Sequence, residues 1–319
     1  MSTKIIGLVL FSMAAFASPS ASLSTNLDPF AEGSKPSKIN LNANPKPVFL
    51  YHGAFLNNDS LAYMVDKIKE DNPNRVIWNS NAYPLVESLT VSMPDQVNGQ
   101  LGQEFREFSE RHPEGFHVVC HSAGALVCRA LIQNNTRHNV HTFVMIGAPN
   151  AGVYGFPTLL PLPIPELQPP LLISATMKFF FLLPVVQQHL SLANTVNDPF
   201  DQESYLKNNI FLPYLNNEIR TDMSEKYKEA FSSLKQLIAI AGPDDAVIQP
   251  WQSGYWSYFN DKGEIVDYKN RPFYIEDFIG LRKLDEEGKF IKCIRRGVGN
   301  FMWITNDDVI QNCIIPYLT

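Results

Sequence analysis

Apolar positions along this chain change period again and again. Val48-Phe49-Leu50-Tyr51 is a short unbroken apolar run, and it ends at His52-Gly53. From Ser60 to Lys69 the apolar residues are Leu61, Met64, Val65 and Ile68, spaced for one face of a helix. Val76-Ile77-Trp78 is again strand-like, and Pro94 to His112 is helical, with Val97, Leu101, Phe105 and Phe108 on one side. Phe116 to Cys120 predicts a strand, Ala123 to Gln133 a helix, and Thr142 to Ile146 a strand. Strands alternating with helices predict an α/β fold, a mostly parallel sheet covered on both faces.

The alternation stops at Gly152. Up to His189 the chain is apolar and dense in proline, and its core, Leu171 to Val186, carries Lys178 and Pro184. That core is too short and too interrupted to span a bilayer, which takes ~20 residues. It predicts either a buried core helix with irregular flanks or an apolar lid, inserted at about 152–222, whose inner face holds a hydrocarbon chain. Asn194 to Asn217 is polar and aromatic. A helix near Met223 to Leu234 then leads into a strand, Gln236 to Ala241. Phe290 to Ile294 is the last predicted strand, and Asp307 to Leu318 a closing helix cut by Pro316.

Where the helix of Ala123 follows its strand, the turn reads Cys120-His121-Ser122-Ala123-Gly124. A strand, a tight turn with small neighbours and a helix form the elbow that exposes a nucleophilic serine above a sheet. Such an elbow prefers glycine on both sides. Gly124 is in place, but Cys120 stands where the first glycine belongs, so an ordinary strand-to-helix turn competes with the catalytic reading. A nucleophilic serine needs a carboxylate, a base and backbone N–H donors, the first two following it in chain order. Asp245 follows the strand Gln236 to Ala241 and is the candidate acid, with Asp244 equally placed by spacing. The N–H groups of Ala123 and Ala54 are the candidate oxyanion donors. The seven histidines are at positions 52, 112, 117, 121, 138, 141 and 189, and none follows Asp245.

The ends and composition narrow the setting. Lys4, the apolar run Ile5 to Phe16 and Ala15-Phe16-Ala17 predict a signal peptide over 1–17, with Ala21 an alternative cleavage point. A polar arm over 18–45 follows, and then a single domain over 46–319. The chain holds 26 basic and 32 acidic residues with no basic block, which argues against nucleic acid as a partner. In an exported protein the four cysteines are expected to pair. Cys120 with Cys128 and Cys293 with Cys313 are the local choice among three connectivities. Asn58-Asp59-Ser60 and Asn134-Asn135-Thr136 are glycosylation sequons.

From about residue 46 onward the chain resembles the lysosomal palmitoyl-protein thioesterase family, its thioesterase 2 branch above all. The likeness rests on Tyr51-His52-Gly53, on Cys120 to Gly124 with Leu126-Val127-Cys128-Arg129-Ala130-Leu131, and on Asn197-Asp198-Pro199. It extends through Gly242-Pro243-Asp244-Asp245, Pro250-Trp251-Gln252-Ser253, Phe278-Ile279-Gly280-Leu281 and the Cys293 to Cys313 region. The resemblance implies an α/β-hydrolase of the secretory or lysosomal compartment that cleaves long-chain acyl thioesters without a cofactor or metal. It implies Ser122 as nucleophile, Asp245 as acid, Ala54 and Ala123 as oxyanion donors, and both local disulfides. Its triad histidine falls on Asn300, within Gly297-Val298-Gly299-Asn300-Phe301-Met302-Trp303. Ala123 also departs from the family's usual glutamine, a change of little weight where the backbone is the donor. The expectation is a thioester hydrolase of low turnover. The alternative is an impaired relative that binds acyl chains or acylated partners.

Overall fold

The computed structural model describes residues 45–154 and 180–319. The expected signal peptide, nearly all of the polar arm and most of the apolar core of the insertion lie outside the described residues. Strands β1 (Val48–Tyr51), β2 (Ile77–Asn79), β3 (Phe116–His121), β4 (Val140–Ile146) and β5 (Gln236–Ala241) come first in the chain. A small antiparallel hairpin, β6 (Tyr258–Phe259) with β7 (Ile265–Val266), precedes the last strand, β8 (Phe290–Ile294). The hairpin had no strong sequence signal, because its strands are two residues each. The main sheet has six strands in the order β2-β1-β3-β4-β5-β8. Every neighbouring pair in it is parallel, as the alternation predicts.

Its strands read as continuous apolar runs because both faces are covered. Helix α1 (Ala62–Asp71) follows β1, and alternate strand residues go to opposite sides of the sheet. Phe49, Tyr51, Val118, Phe143, Met145, Leu237 and Ala239 belong to one core cluster, with residues of helices α2 (Gln100–Arg111) and α3 (Ala123–Asn134). Val48, Leu50, Val119, Val144, Ile238 and Ile240 belong to the other, with Leu61, Met64 and Ile68 and the C-terminal segment around Ile310 and Ile314. Burying each large side chain contributes roughly 1.5–3 kcal/mol. A one-residue slip in any central strand would exchange its two faces.

Two predicted helices differ in detail. The single helix expected from Pro94 to His112 is broken at Gly99 (φ −96°, ψ −137°) into Met93–Asn98 and α2. A Cβ on Gly102 would run into the carbonyl oxygen of Val97, so the joint closes only because that residue is glycine. The closing helix is an α-turn, Asp307–Val309, then a π-helical segment, Ile310–Ile314, then a 3₁₀ turn, Ile315–Tyr317, with Pro316 in that last turn.

The described part of the insertion is held by buried amides. Gln187, Asn194, Asn197 and Asn209 are each 2 % exposed or less. Asn194 accepts from the Met93 N–H at 2.9 Å and donates to the Gln187 carbonyl at 2.9 Å; Asn209 donates to the carbonyls of Asn194 and Val196. The polarity of this stretch therefore satisfies irregular backbone inside the protein rather than facing water. Among the described residues no helix is long and apolar enough to cross a membrane.

Candidate active site

A parallel sheet brings the carboxyl ends of its strands to one edge, and the predicted site residues sit on the loops that leave β1, β3, β5 and β8 there. At the end of β3, Ser122 takes φ 51° and ψ −131°, a conformation an L-residue adopts at a cost of about 1–3 kcal/mol. Its N–H donates to the Ile146 carbonyl at 2.7 Å, which pins the turn to β4. A Cβ on Gly124 would collide with the carbonyl of His52, and one on Gly53 would come within 2.9 Å of the Ser122 Cβ. The two glycines let the end of β1 lie against the elbow. The Cys120–Cys128 disulfide joins β3 to α3 across the same turn, and the Cys293–Cys313 disulfide ties β8 to the C-terminal segment.

The backbone N–H groups of Ala54 and Ala123 have no hydrogen-bond acceptor among the described residues. Ala123 is the first residue of α3, so its N–H also carries the positive end of the helix dipole. The Ala54 turn is held from behind. Phe55 N–H donates to Ser88 Oγ at 2.7 Å, and Leu56 N–H to the Gly53 carbonyl at 3.3 Å. A small cavity lined by Ala54, Ala123, Met93, Gln96 and Ser191 lies beside these donors.

The two acids part company. Asp244 Oδ2 accepts the Gly297 N–H at 2.7 Å in an exposed turn. Asp245 is 4 % exposed and turns inward. Its Oδ1 accepts the N–H groups of Val247 at 2.9 Å and Ile248 at 3.0 Å, and its Oδ2 accepts Asn300 Nδ2 and Trp303 Nε1, each at 2.9 Å. Asn300 is 3 % exposed. A carboxylate only accepts, so the Asn300 amide must present nitrogen to Asp245, and its oxygen remains for another donor. An amide oxygen can accept a hydrogen bond but not a proton at physiological pH. No hydrogen bond joins the Ser122 and Asn300 side chains.

The two histidines that adjoin the elbow, His52 and His121, are both held against backbone carbonyls. His121 lies next to Ser122 in sequence, but its ring is buried. Its Nε2–H donates to the Asn300 backbone carbonyl at 2.9 Å, and its Nδ1 has no partner. Burial pushes its pKa down to about 4, against the opposing effect of that hydrogen bond. The ring of His52 sits between the carbonyls of Gly53 and Ala82, at 2.9 and 3.2 Å, and burial lowers its pKa as well. Both rings hold loops. His117 is buried near His141, and His138 bonds the Ala230 carbonyl. The pattern had drawn attention to Asn300, but not to Trp303 as a ligand of the carboxylate or His121 as the strut under Asn300. Neither contact has a sequence signal, since both join residues far apart in the chain.

Palmitoyl protein thioesterase is the family whose model matches, over residues 47–297. The "Lysosomal thioesterase PPT2 homolog" of Drosophila melanogaster is 37% identical over 284 residues, 88% of this chain and 95% of its own. "Lysosomal thioesterase PPT2-B" of Xenopus laevis is 32% identical over 279 residues, 86% of this chain and 93% of its own. A monoacylglycerol lipase structure from Paleococcus ferrophilus aligns with a TM-score of 0.44 at 11% identity, covering 86% of this chain and 95% of that one, too remote to bear on the site. With a matched model spanning most of the domain and relatives covered nearly end to end, this α/β-hydrolase chain belongs to the palmitoyl-protein thioesterase family.

Proposed function

We propose that this protein is an acyl-thioester hydrolase by descent whose Ser122 works without a proton-accepting partner, so that long-chain acyl thioesters are bound and turned over slowly. The observation that carries this is the Asn300 Nδ2 hydrogen bond to Asp245 at 2.9 Å, an amide seated where the family's base belongs. In the proposed chemistry Ser122 Oγ attacks the acyl carbonyl, and the oxyanion is received by the N–H groups of Ala54 and Ala123. The thiolate leaves with little need of a proton, a free thiol having a pKa near ~8.5. Water then releases the acid from the acyl-serine. Both the serine hydroxyl and the water must lose a proton; Asn300 takes neither, so each proton passes to solvent water. Loss of the base from a serine triad costs on the order of 10⁶ in turnover and leaves ~10³–10⁴ over water from the oxyanion donors and binding. The relatives' names and the two disulfides support a secretory route to the lysosome.

A second reading is an acyl-binding protein without turnover. The saturation of Asp245 by four donors favours it, because the acid is fully satisfied by a fixed amide and two backbone N–H groups as well as Trp303. Palmitoyl-thioester turnover should be measured for the native protein, Ser122→Ala and Asn300→His, alongside palmitate binding. The hydrolase reading expects slow native turnover that Ser122→Ala removes and Asn300→His raises by at least ~10³. Binding with no turnover supports the second reading. Rapid native turnover, or failure to bind acyl chains, sinks the proposal.

A further inference from the structure

Away from the sheet edge, a groove lies between α2 and the C-terminal end of α3, with a volume of about 440 Å³. That is within the ~300–1,000 Å³ of ordinary ligand sites. Its floor is apolar, built from Val97, Phe105 and Leu131, and its rim carries Arg106, Arg137 and Asn139. Asn134, the last residue of α3 and the acceptor of the second sequon, is itself in the wall and is exposed. The sequon leaves the helix directly. Asn135 is extended at φ −113° and ψ 92°, and the Arg137 N–H closes on Asn135 Oδ1 at 3.1 Å, while Thr136 faces solvent. In the other sequon the Ser60 hydroxyl and N–H are both committed to Asn57 Oδ1, and Asn58 lies in a 3₁₀ turn.

We infer that Asn134 carries an N-linked glycan whose first sugars lie in this groove rather than projecting freely. The C–H face of a pyranose packs on an apolar floor, and its hydroxyl and acetamido oxygens accept from guanidinium and amide donors at the rim. Arg106 and Arg137 are both exposed and supply those donors; neither forms an ion pair among the described residues. In the transfer, the Asn134 Nδ2–C1 bond forms and the C1–oxygen bond to a lipid-pyrophosphate oligosaccharide donor breaks. The amide proton is lost as the pyrophosphate leaves. The disulfides place the folded chain in an oxidising compartment, where such donors act. The inference does not depend on whether the candidate active site turns over.

The test uses the full chain secreted from a eukaryotic host. Occupancy at Asn134 is read by glycopeptide mass, and enzymatic glycan release at that site is timed in native and denatured protein. Seating expects occupancy and native release at least about tenfold slower than denatured release. Arg106→Ala with Arg137→Ala should recover most of that difference while occupancy stays the same. An empty Asn134, equal native and denatured rates, or protection unchanged in the double variant would overturn it.

Discussion

At the scale of single residues, the proposed function turns on position 300. An asparagine there reaches the acid as a donor, and Trp303 Nε1 shares the same Asp245 oxygen. If Asn300→His rebuilds a working triad, Trp303 becomes a positioning residue for the acid. Hydrogen bonds to charged groups contribute about 1.5–3 kcal/mol, so Trp303→Phe in the Asn300→His protein should lower kcat ~10–100-fold with KM little changed. An equal rise in KM would instead mean a general loosening of the loop. Gly124 is the other residue with no substitute. Gly124→Ala meets the His52 carbonyl and should unfold at a lower denaturant concentration than the parent, besides losing any Ser122-dependent turnover.

The informative element is the strand–elbow–helix unit of β3 and α3. Cys120 occupies the place of an elbow glycine because its sulfur is bonded to Cys128, so the covalent link braces the turn that glycine would otherwise loosen. The cystine closes a loop of sequence separation 8, for which chain entropy gives about 2–3 kcal/mol. Cys120→Ala with Cys128→Ala should lose at least that much in urea unfolding, since both side chains are also buried. A variant as stable as the parent would show that packing alone sets the elbow. The elements themselves were largely legible. Apolar period placed β1, β3, β4, β5 and β8 within two residues of their observed ends. The break at Gly99 was not legible, because the apolar stripe from Val97 to Phe108 continues through it and only the approach of Gly102 to Val97 demands it.

Over the whole molecule, burial of imidazoles sets the response to acid. His52, His117, His121, His138 and His141 all have pKa values pushed below 6.5, burial being the first cause in each. The unfolded chain therefore binds protons before the folded one as pH falls through 6.5. Stability is full above that value and declines toward about 4, where folded His121 itself titrates. His121 alone should account for about 2 kcal/mol lost by pH 5. Glu218 works in the opposite sense, its pKa being raised chiefly by burial, and it softens the fall just above 4.5. Thermal midpoints measured from pH 7.5 to 4.5 should drop, and His121→Gln should flatten the slope by about one proton. A midpoint constant across that range would contradict the buried-neutral assignment.

Local chemistry in the chain was enough for the α/β order and for the absence of any histidine after Asp245, because each is written in short apolar runs or in one absent residue type; it offered the Ser122 elbow against an ordinary turn, and two local disulfides among three connectivities. Spacing left Asp244 and Asp245 equal and the resemblance pointed to Asp245; the tertiary structure supplied the physical difference between them. Spacing treats neighbours alike, but only one of the two turns toward Asn300 and Trp303, 55 and 58 positions further on. The tertiary structure also set the rings of His52 and His121 against the carbonyls of Gly53, Ala82 and Asn300, contacts that only the folded chain creates. Ser122 sits on a strained elbow beside two N–H groups that have no acceptor among the described residues, on the same sheet edge as Asp245 and the Asn300 amide bonded to it.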